Sequence, residues 1–279
     1  MSSDVRWSIT ELLARYDLEP QLADVFVEGS LDQAVLTEAS SSAPRRPTFY
    51  EVDVVDVPSA VLTKYGLTPG KKQRLLALAR ELAAASKEAK VECLVDRDLD
   101  HWFGPLDNTA HLRWTLFCSI EMHFLAPAII RDVLIVAGGA LITDFDVFLS
   151  TLFSTLKTLY CLRLADREKA LSVRWLPLRK YLTRNGDAIS LDLDKYTTAV
   201  LNASSKMAQR AAFKTAFVGW VDRVNGDVRQ ASRGHDYTEI LAWAMNKFGG
   251  SRNFAASGAI ERLFVLLAKS IPTLAEELG

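Results

Sequence analysis

The sequence is poor in the residue types that announce most cofactor chemistries. It has three cysteines, Cys93, Cys118 and Cys161, and four histidines in 279 residues. The cysteines are odd in number and far apart, so neither a disulfide framework nor a zinc site is expected. Each lies among apolar neighbours and reads as a buried thiol, which suits a reducing compartment. His111 and His123 are too distant from each other, and too poor in nearby cysteine, for zinc. A glycine-rich phosphate loop is missing as well: Gly70-Lys71-Lys72 lacks the upstream glycines of a Walker motif. No apolar run reaches the roughly 20 residues that a membrane-crossing helix needs. The most apolar run, residues 133–142, is flanked by Arg131, Asp132, Asp144 and Asp146 and reads as a buried helix or strand. Met1-Ser2-Ser3-Asp4 has no basic segment leading into an apolar one, so a signal peptide is not expected and a cytoplasmic location is. Net charge is also nearly absent. The formal value of −1 gives no global attraction to nucleic acid or membrane, so any such role needs a local basic face.

What is present is an ordinary globular composition, 49% apolar and 24% charged, long enough for one large domain or two small ones. Ser40 to Pro47 contains three serines and two prolines and reads as a loop. The first 120 residues alternate short strand-like runs (25–27, 49–57 and 91–95) with helical ones. Residues 32–38 can form a helical turn. Residues 70–87 place Leu75, Leu76, Ala79, Leu82 and Ala83 on one face of an amphipathic helix. Strands separated by helices predict a parallel sheet covered on both faces. After about residue 119 the spacing turns helical, over 120–163, 193–224, 237–248 and 255–267. The expected architecture is therefore an α/β region over 1–120, followed by a mostly α-helical region over 121–279 that packs on it or completes it.

Charge is distributed unevenly along this plan. Residues 1–56 hold eleven acids against four bases, a net of −7, whereas residues 157–236 hold fifteen bases against eight acids, a net of +7. Ordinary solvated helix faces would account for this. So would a metal-using phosphodiesterase, whose acids hold cations while its bases hold a phosphate backbone.

Two segments carry the sharper signal. Val25-Phe26-Val27-Glu28-Gly29-Ser30-Leu31-Asp32 and Val91-Glu92-Cys93-Leu94-Val95-Asp96-Arg97-Asp98-Leu99-Asp100 are each a short apolar strand ending abruptly in acids. In a parallel sheet the strand C-termini line the ligand crevice. Gly29 would let the chain turn sharply out of its strand, with Glu28 at the tip and Asp32 in the next helical turn. Asp96 and Asp98, two apart, would share a face of an extended chain, and Asp100 continues the series. Four or five carboxylates converging there would suit hard cations such as Mg²⁺ or Mn²⁺, as a pair about 4 Å apart.

Val-Glu-Gly-x-x-Asp, followed later by an apolar strand and Asp-x-Asp, resembles the motif pair of the Toprim family of topoisomerases, primases and overcoming-lysogenization-defect (OLD) nucleases. More closely, the chain resembles the Toprim-like AriB-type effectors of the PARIS anti-phage system. Ser119-Ile120-Glu121 before an apolar helix and the triplet Gly234-His235-Asp236 extend the likeness, which covers most of the chain and is strongest at the two acidic motifs. The resemblance implies a Toprim-like sheet and a metal-dependent endonuclease toxin of anti-phage defence. Such an effector cleaves host tRNA after release from an AriA-like ATPase sensor, and acts as a homodimer. By position, Glu28 would be general base and metal ligand, with Asp32, Asp96 and Asp98 as further ligands. Asp32 departs from the longer glutamate of many OLD-type nucleases, which leaves a second metal in doubt. Asp100 and Glu121 are further candidate ligands, although Glu121 also reads as a helix-start acid.

For nucleic-acid contact the candidates are Lys71, Lys72, Arg179, Lys180 and His235, with Arg163, Arg174 and Arg184 on the same basic stretch. His235 reads equally as a neighbour of a helix start capped by Asp236. Trp102, directly after the acids, is core by default and a base-stacking candidate otherwise. Two readings besides the ribonuclease stay open, a non-catalytic Toprim-like interaction module and a DNA-directed Toprim nuclease.

Overall fold

A computed structural model describes residues 6–43, 46–85 and 89–277. The chain start read for a leader, positions 44–45 of the serine–proline loop, and the end of the 70–87 helix after Ala85 lie outside the described residues. The chain divides into two compact units. One comprises the chain through Ile120 together with the segment from Val265 onward, and the other is Glu121–Phe264.

The first unit is α/β. Asp24–Val27 pairs in parallel with Thr48–Glu51 on one side and Glu92–Val95 on the other, and Glu92–Val95 pairs in parallel with Leu112–Trp114. All four strands therefore end at the same edge. The chain steps from the first strand to one side, then returns past it to the other, so the gap between Asp24–Val27 and Glu92–Val95 is a topological switch point. Right-handed connections across that reversal put the helices Ser30–Ala39 and Lys71–Ala85 on opposite faces. Phe26, Cys93 and Val95 are fully buried against Leu75, Leu78 and Leu82 of the second helix. The helix is buried more widely than its amphipathic stripe, with Ala77 and Leu78 also inside, because it lies between the sheet and the helix Ile9–Leu18. Ser8 and Glu11 cap that last helix reciprocally. The expected strand over 49–57 is interrupted. It continues as a 3-10 turn over Val52–Val54, and Val55–Asp56 then joins a separate parallel pair with Trp7–Ser8.

The second unit is mostly helical. Its central helix Phe145–Glu168, capped by Asp144, has twelve buried residues, and Leu193–Ala203, Arg210–Arg223 and Gly234–Lys247 complete the main set. By length and composition the Phe145–Glu168 helix could cross a membrane. Here it is the core of its unit and carries Arg163 in a buried ion pair. The apolar run at 133–142 is neither α-helix nor strand. It opens in a π-helical turn, Asp132–Ala137, and leaves Val136 and Leu141 exposed. Sequence reading passed over one hairpin, Leu182–Asn185 with Ala188–Leu191. Its signal was Asn185-Gly186-Asp187, where Gly186 takes φ +60 in a two-residue turn. All three cysteines are buried thiols, and burial pushes the Cys161 thiol up to about 11.

Candidate active site at the acidic sheet edge

The two acidic motifs meet. Glu28 follows the last residue of Asp24–Val27, Asp96 follows the last residue of Glu92–Val95, and the two strands are neighbours. Across the switch point the Asp96 backbone N–H donates to Glu28 Oε1 at 3.2 Å. Asp32 stands in the first turn of Ser30–Ala39, where its Oδ2 accepts from the Gly29 N–H at 2.9 Å. That bond closes the helix N-terminus and holds the Asp32 carboxylate beside the exit of the strand. Gly29 itself has φ −142, extended backbone open to any residue. A Cβ there would meet only Asp32 Oδ2 at an ordinary 3.7 Å. The expected need for glycine in the turn is thus corrected: the chain leaves the strand without one.

Beyond Asp96 the chain does not stay extended. Asp98 adopts φ +44, a left-handed conformation rare outside glycine, and its N–H donates to the Cys118 carbonyl at 2.9 Å. Asp96 and Asp98 therefore do not share a strand face as expected. The turn carries Asp98 and Asp100 toward the helix Lys71–Ala85. There Lys72 Nζ lies 3.0 Å from Asp98 Oδ2, 2.6 Å from Asp100 Oδ2 and 2.6 Å from the Asp96 carbonyl. The Lys72 side chain is mostly buried, over the Trp114 ring. Burial alone would lower its pKa, but the Asp98 and Asp100 carboxylates outweigh that and leave it raised. Lys72, expected at an RNA phosphate, is instead the counter-ion of the acids.

Sequence reading also missed a third acidic strand end. Thr48–Glu51 closes on Glu51, with Asp53 just beyond, and Lys71 Nζ reaches them at 3.5 and 2.7 Å. Arg74 joins Asp53 at 2.6 Å. The first turn of Lys71–Ala85 thus lays Lys71, Lys72 and Arg74 along the acidic edge. Cations at a helix N-terminus oppose the macrodipole, so it is the carboxylates that hold them there. Trp102 closes the 3-10 turn Asp100–Trp102 and is half-buried, and Phe103 beside it is exposed.

Among the described residues, no three His, Cys, Asp or Glu side chains are gathered closely enough to hold a metal ion. The donor chemistry nevertheless suits a hard cation, because every side-chain donor is a carboxylate and an ammonium is already bound among them.

The remaining expected residues lie in the second unit. Glu121 is buried and packs against Gly234, where a Cβ would collide with its carboxyl. It sits beside the start of Gly234–Lys247, so within its own unit it is a helix-start acid. His235 is exposed on the first turn of that helix. Asp236 is not a cap, since Arg233 holds that position. Its carboxylate takes both arms of the Arg163 guanidinium, at 2.8 and 2.5 Å. Arg163 also lies over Trp175. That corrects its expected role on a phosphate backbone, because it is buried and already paired. Arg174, Arg179 and Lys180 are exposed. Arg184 donates to the Gly186 and Lys247 carbonyls.

Comparison with protein-family models and with curated proteins finds no match to this chain.

Proposed function

We propose that the acidic edge of the parallel sheet is the catalytic centre of a Toprim-type, metal-dependent endonuclease acting on RNA, with tRNA its favoured substrate. The observation that carries the reading is the junction of Glu28 with Asp96 across the switch point, where open parallel sheets bind their ligands. Glu28, Asp32, Asp96, Asp98 and Asp100 are the carboxylates that Mg²⁺ or Mn²⁺ would have to draw together, since no three of them are gathered closely enough as they stand, and the bound ion would offset the charge that develops in phosphodiester displacement. Glu28 is the base: it takes the proton of the attacking water as the water oxygen bonds to phosphorus and the ribose oxygen leaves. Its hydrogen bond from the Asp96 N–H orients that carboxylate. Lys72 bridges Asp98 and Asp100 and would have to give up these contacts to an ion held by the same carboxylates. In biological terms the reading is an anti-phage toxin held by an ATPase sensor and active as a homodimer after release.

A second reading has one observation in its favour. Lys72 already satisfies Asp98 and Asp100, as it would in a non-catalytic interaction module. Incubating the purified protein with tRNA and with plasmid DNA, with and without Mn²⁺, separates the two. The nuclease reading expects Mn²⁺-dependent cuts in tRNA that vanish in a folded Glu28→Ala protein. No cleavage of either substrate favours the module, and cuts confined to DNA change the substrate class.

A further inference from the structure

The segment from Val265 onward, part of the α/β unit, packs against the helix that carries Asp32. Ile271 and Leu274 are buried, and Lys269 Nζ lies 2.8 Å from the Glu38 carboxylate of Ser30–Ala39. Its last helix, Pro272–Glu277, closes on a buried carboxylate, that of Glu277. A carboxylate taken out of water needs hydrogen-bond donors, and the backbone N–H of Leu116 supplies one.

Leu116 lies in the loop that follows Leu112–Trp114, and that loop holds the acidic turn at two points. Thr115 is buried. Its Oγ1 accepts from the Arg97 N–H at 3.2 Å and donates to the Phe117 carbonyl at 2.7 Å. One residue further along the turn, the Asp98 N–H donates to the Cys118 carbonyl at 2.9 Å. Asp98 sits at φ +44, a conformation that a residue other than glycine keeps only where its surroundings fix it. The backbone N–H groups of Arg97 and Asp98 both end on residues 115–118, so it is this loop that fixes the turn. One short segment thereby braces both the helix of Asp32 and the loop that holds Asp98.

We infer that Glu277 and Thr115 are positioning residues of the acidic edge. Glu277 pins the loop at Leu116, the loop pins Arg97 and Asp98, and the Asp98 carboxylate is presented as a result. The consequence for metal binding rests on the reading of this edge as a metal site; the hold on the turn does not.

Amide hydrogen exchange followed by NMR tests the hold without any metal. The Cys93 N–H, which donates to the His111 carbonyl at 2.7 Å in the same sheet, is the internal reference, because local opening of the turn leaves it protected. Glu277→Ala is expected to raise the exchange rate of Asp98 relative to Cys93 at least tenfold. Glu277→Gln, whose side-chain carbonyl still accepts from the Leu116 N–H, is expected to stay within about twofold of the parent. Thr115→Val, which cuts the connection at its other end and keeps the shape of the side chain, should loosen Arg97 and Asp98 likewise, and Thr115→Ser should restore them. Mn²⁺ affinity measured by calorimetry is expected to fall severalfold in Glu277→Ala and Thr115→Val and to return in Glu277→Gln and Thr115→Ser. A ratio of Asp98 to Cys93 exchange that moves in neither Glu277→Ala nor Thr115→Val overturns the proposal, and so does a loosened turn with unchanged Mn²⁺ affinity. A parent protein that binds no Mn²⁺ overturns the metal reading of the edge instead, and the exchange ratio alone then decides whether Glu277 holds the turn.

Discussion

Each unit of this protein holds carboxylates against a cation, and the two arrangements differ in kind. In the helical unit Arg163 and Asp236 are both nearly sealed, with side chains 9% and 5% exposed. A guanidinium fork meets both carboxylate oxygens and an aromatic ring covers it, a geometry that fixes orientation. At the sheet edge a single ammonium is shared among Asp98, Asp100 and a carbonyl, and Asp98 is 39% exposed. A point charge on a flexible stem, at the mouth of a crevice, is the kind of partner a divalent ion can displace. The first pair is sealed inside a core; the second stands at a partly exposed sheet edge, where the proposed ion would compete with it.

Breaking the buried pair should have the largest effect. Asp236→Ala strands a buried guanidinium and is expected to destabilise the protein by about 3–5 kcal/mol, read by urea denaturation. A loss below about 1 kcal/mol would mean that Arg163 finds water or another partner. Next in size are two glycines that look alike in sequence. Gly234→Ala drives a methyl into Glu121 and should cost about 1–3 kcal/mol, largely recovered in the double variant with Glu121→Ala. Gly29→Ser should change stability by less than about 0.5 kcal/mol, because serine is a good N-cap and its Cβ would meet Asp32 Oδ2 only at an ordinary 3.7 Å. Equal effects at the two positions would refute the contrast.

Lys72→Met sharpens the comparison further. It leaves the acids without their counter-ion, and a loss of about 1–3 kcal/mol is expected at low salt. Millimolar Mg²⁺ should raise the thermal midpoint of this variant more than that of the parent. In Asp236→Ala, whose acidic edge is intact, the same Mg²⁺ should raise the midpoint no more than it does in the parent. A smaller effect concerns Asp24, at the opposite end of the Glu28 strand. Burial raises its pKa against the lowering by the Tyr16 hydroxyl and Arg15. A carboxyl raised on folding gains protons relative to the unfolded chain, so its contribution grows as pH falls from neutral toward the unfolded value near 3.8. The stability difference between the parent and Asp24→Asn should therefore shift in the parent's favour as the buffer is acidified. A pH-independent difference would contradict the burial.

Much of the sheet was legible because its strands are short apolar runs punctuated by acids and glycine, and the helix after Gly70 because its leucines fall at helical spacing. The meeting of Glu28 with Asp96 followed from strand ends in a parallel sheet. What stayed hidden was set by tertiary pairing. Nothing local says that Lys72 turns inward to Asp98 and Asp100, or that Asp98 leaves the extended conformation to reach it. Arg163 and Asp236 are 73 residues apart, so a basic stretch counted from the sequence included a side chain that is wholly committed. Glu51 and Asp53 escaped notice because their strand breaks at Val52–Val54, which hid a third acidic end.

The most direct measurement is a calorimetric Mn²⁺ titration of the parent protein beside Glu28→Ala and Lys72→Met, with folding of each checked by circular dichroism. The account predicts saturable binding by the parent, at least tenfold weaker binding by Glu28→Ala, and tighter binding by Lys72→Met, in which the Lys72 ammonium no longer competes for Asp98 and Asp100. Equal Mn²⁺ affinity in all three, or none in any, would contradict it.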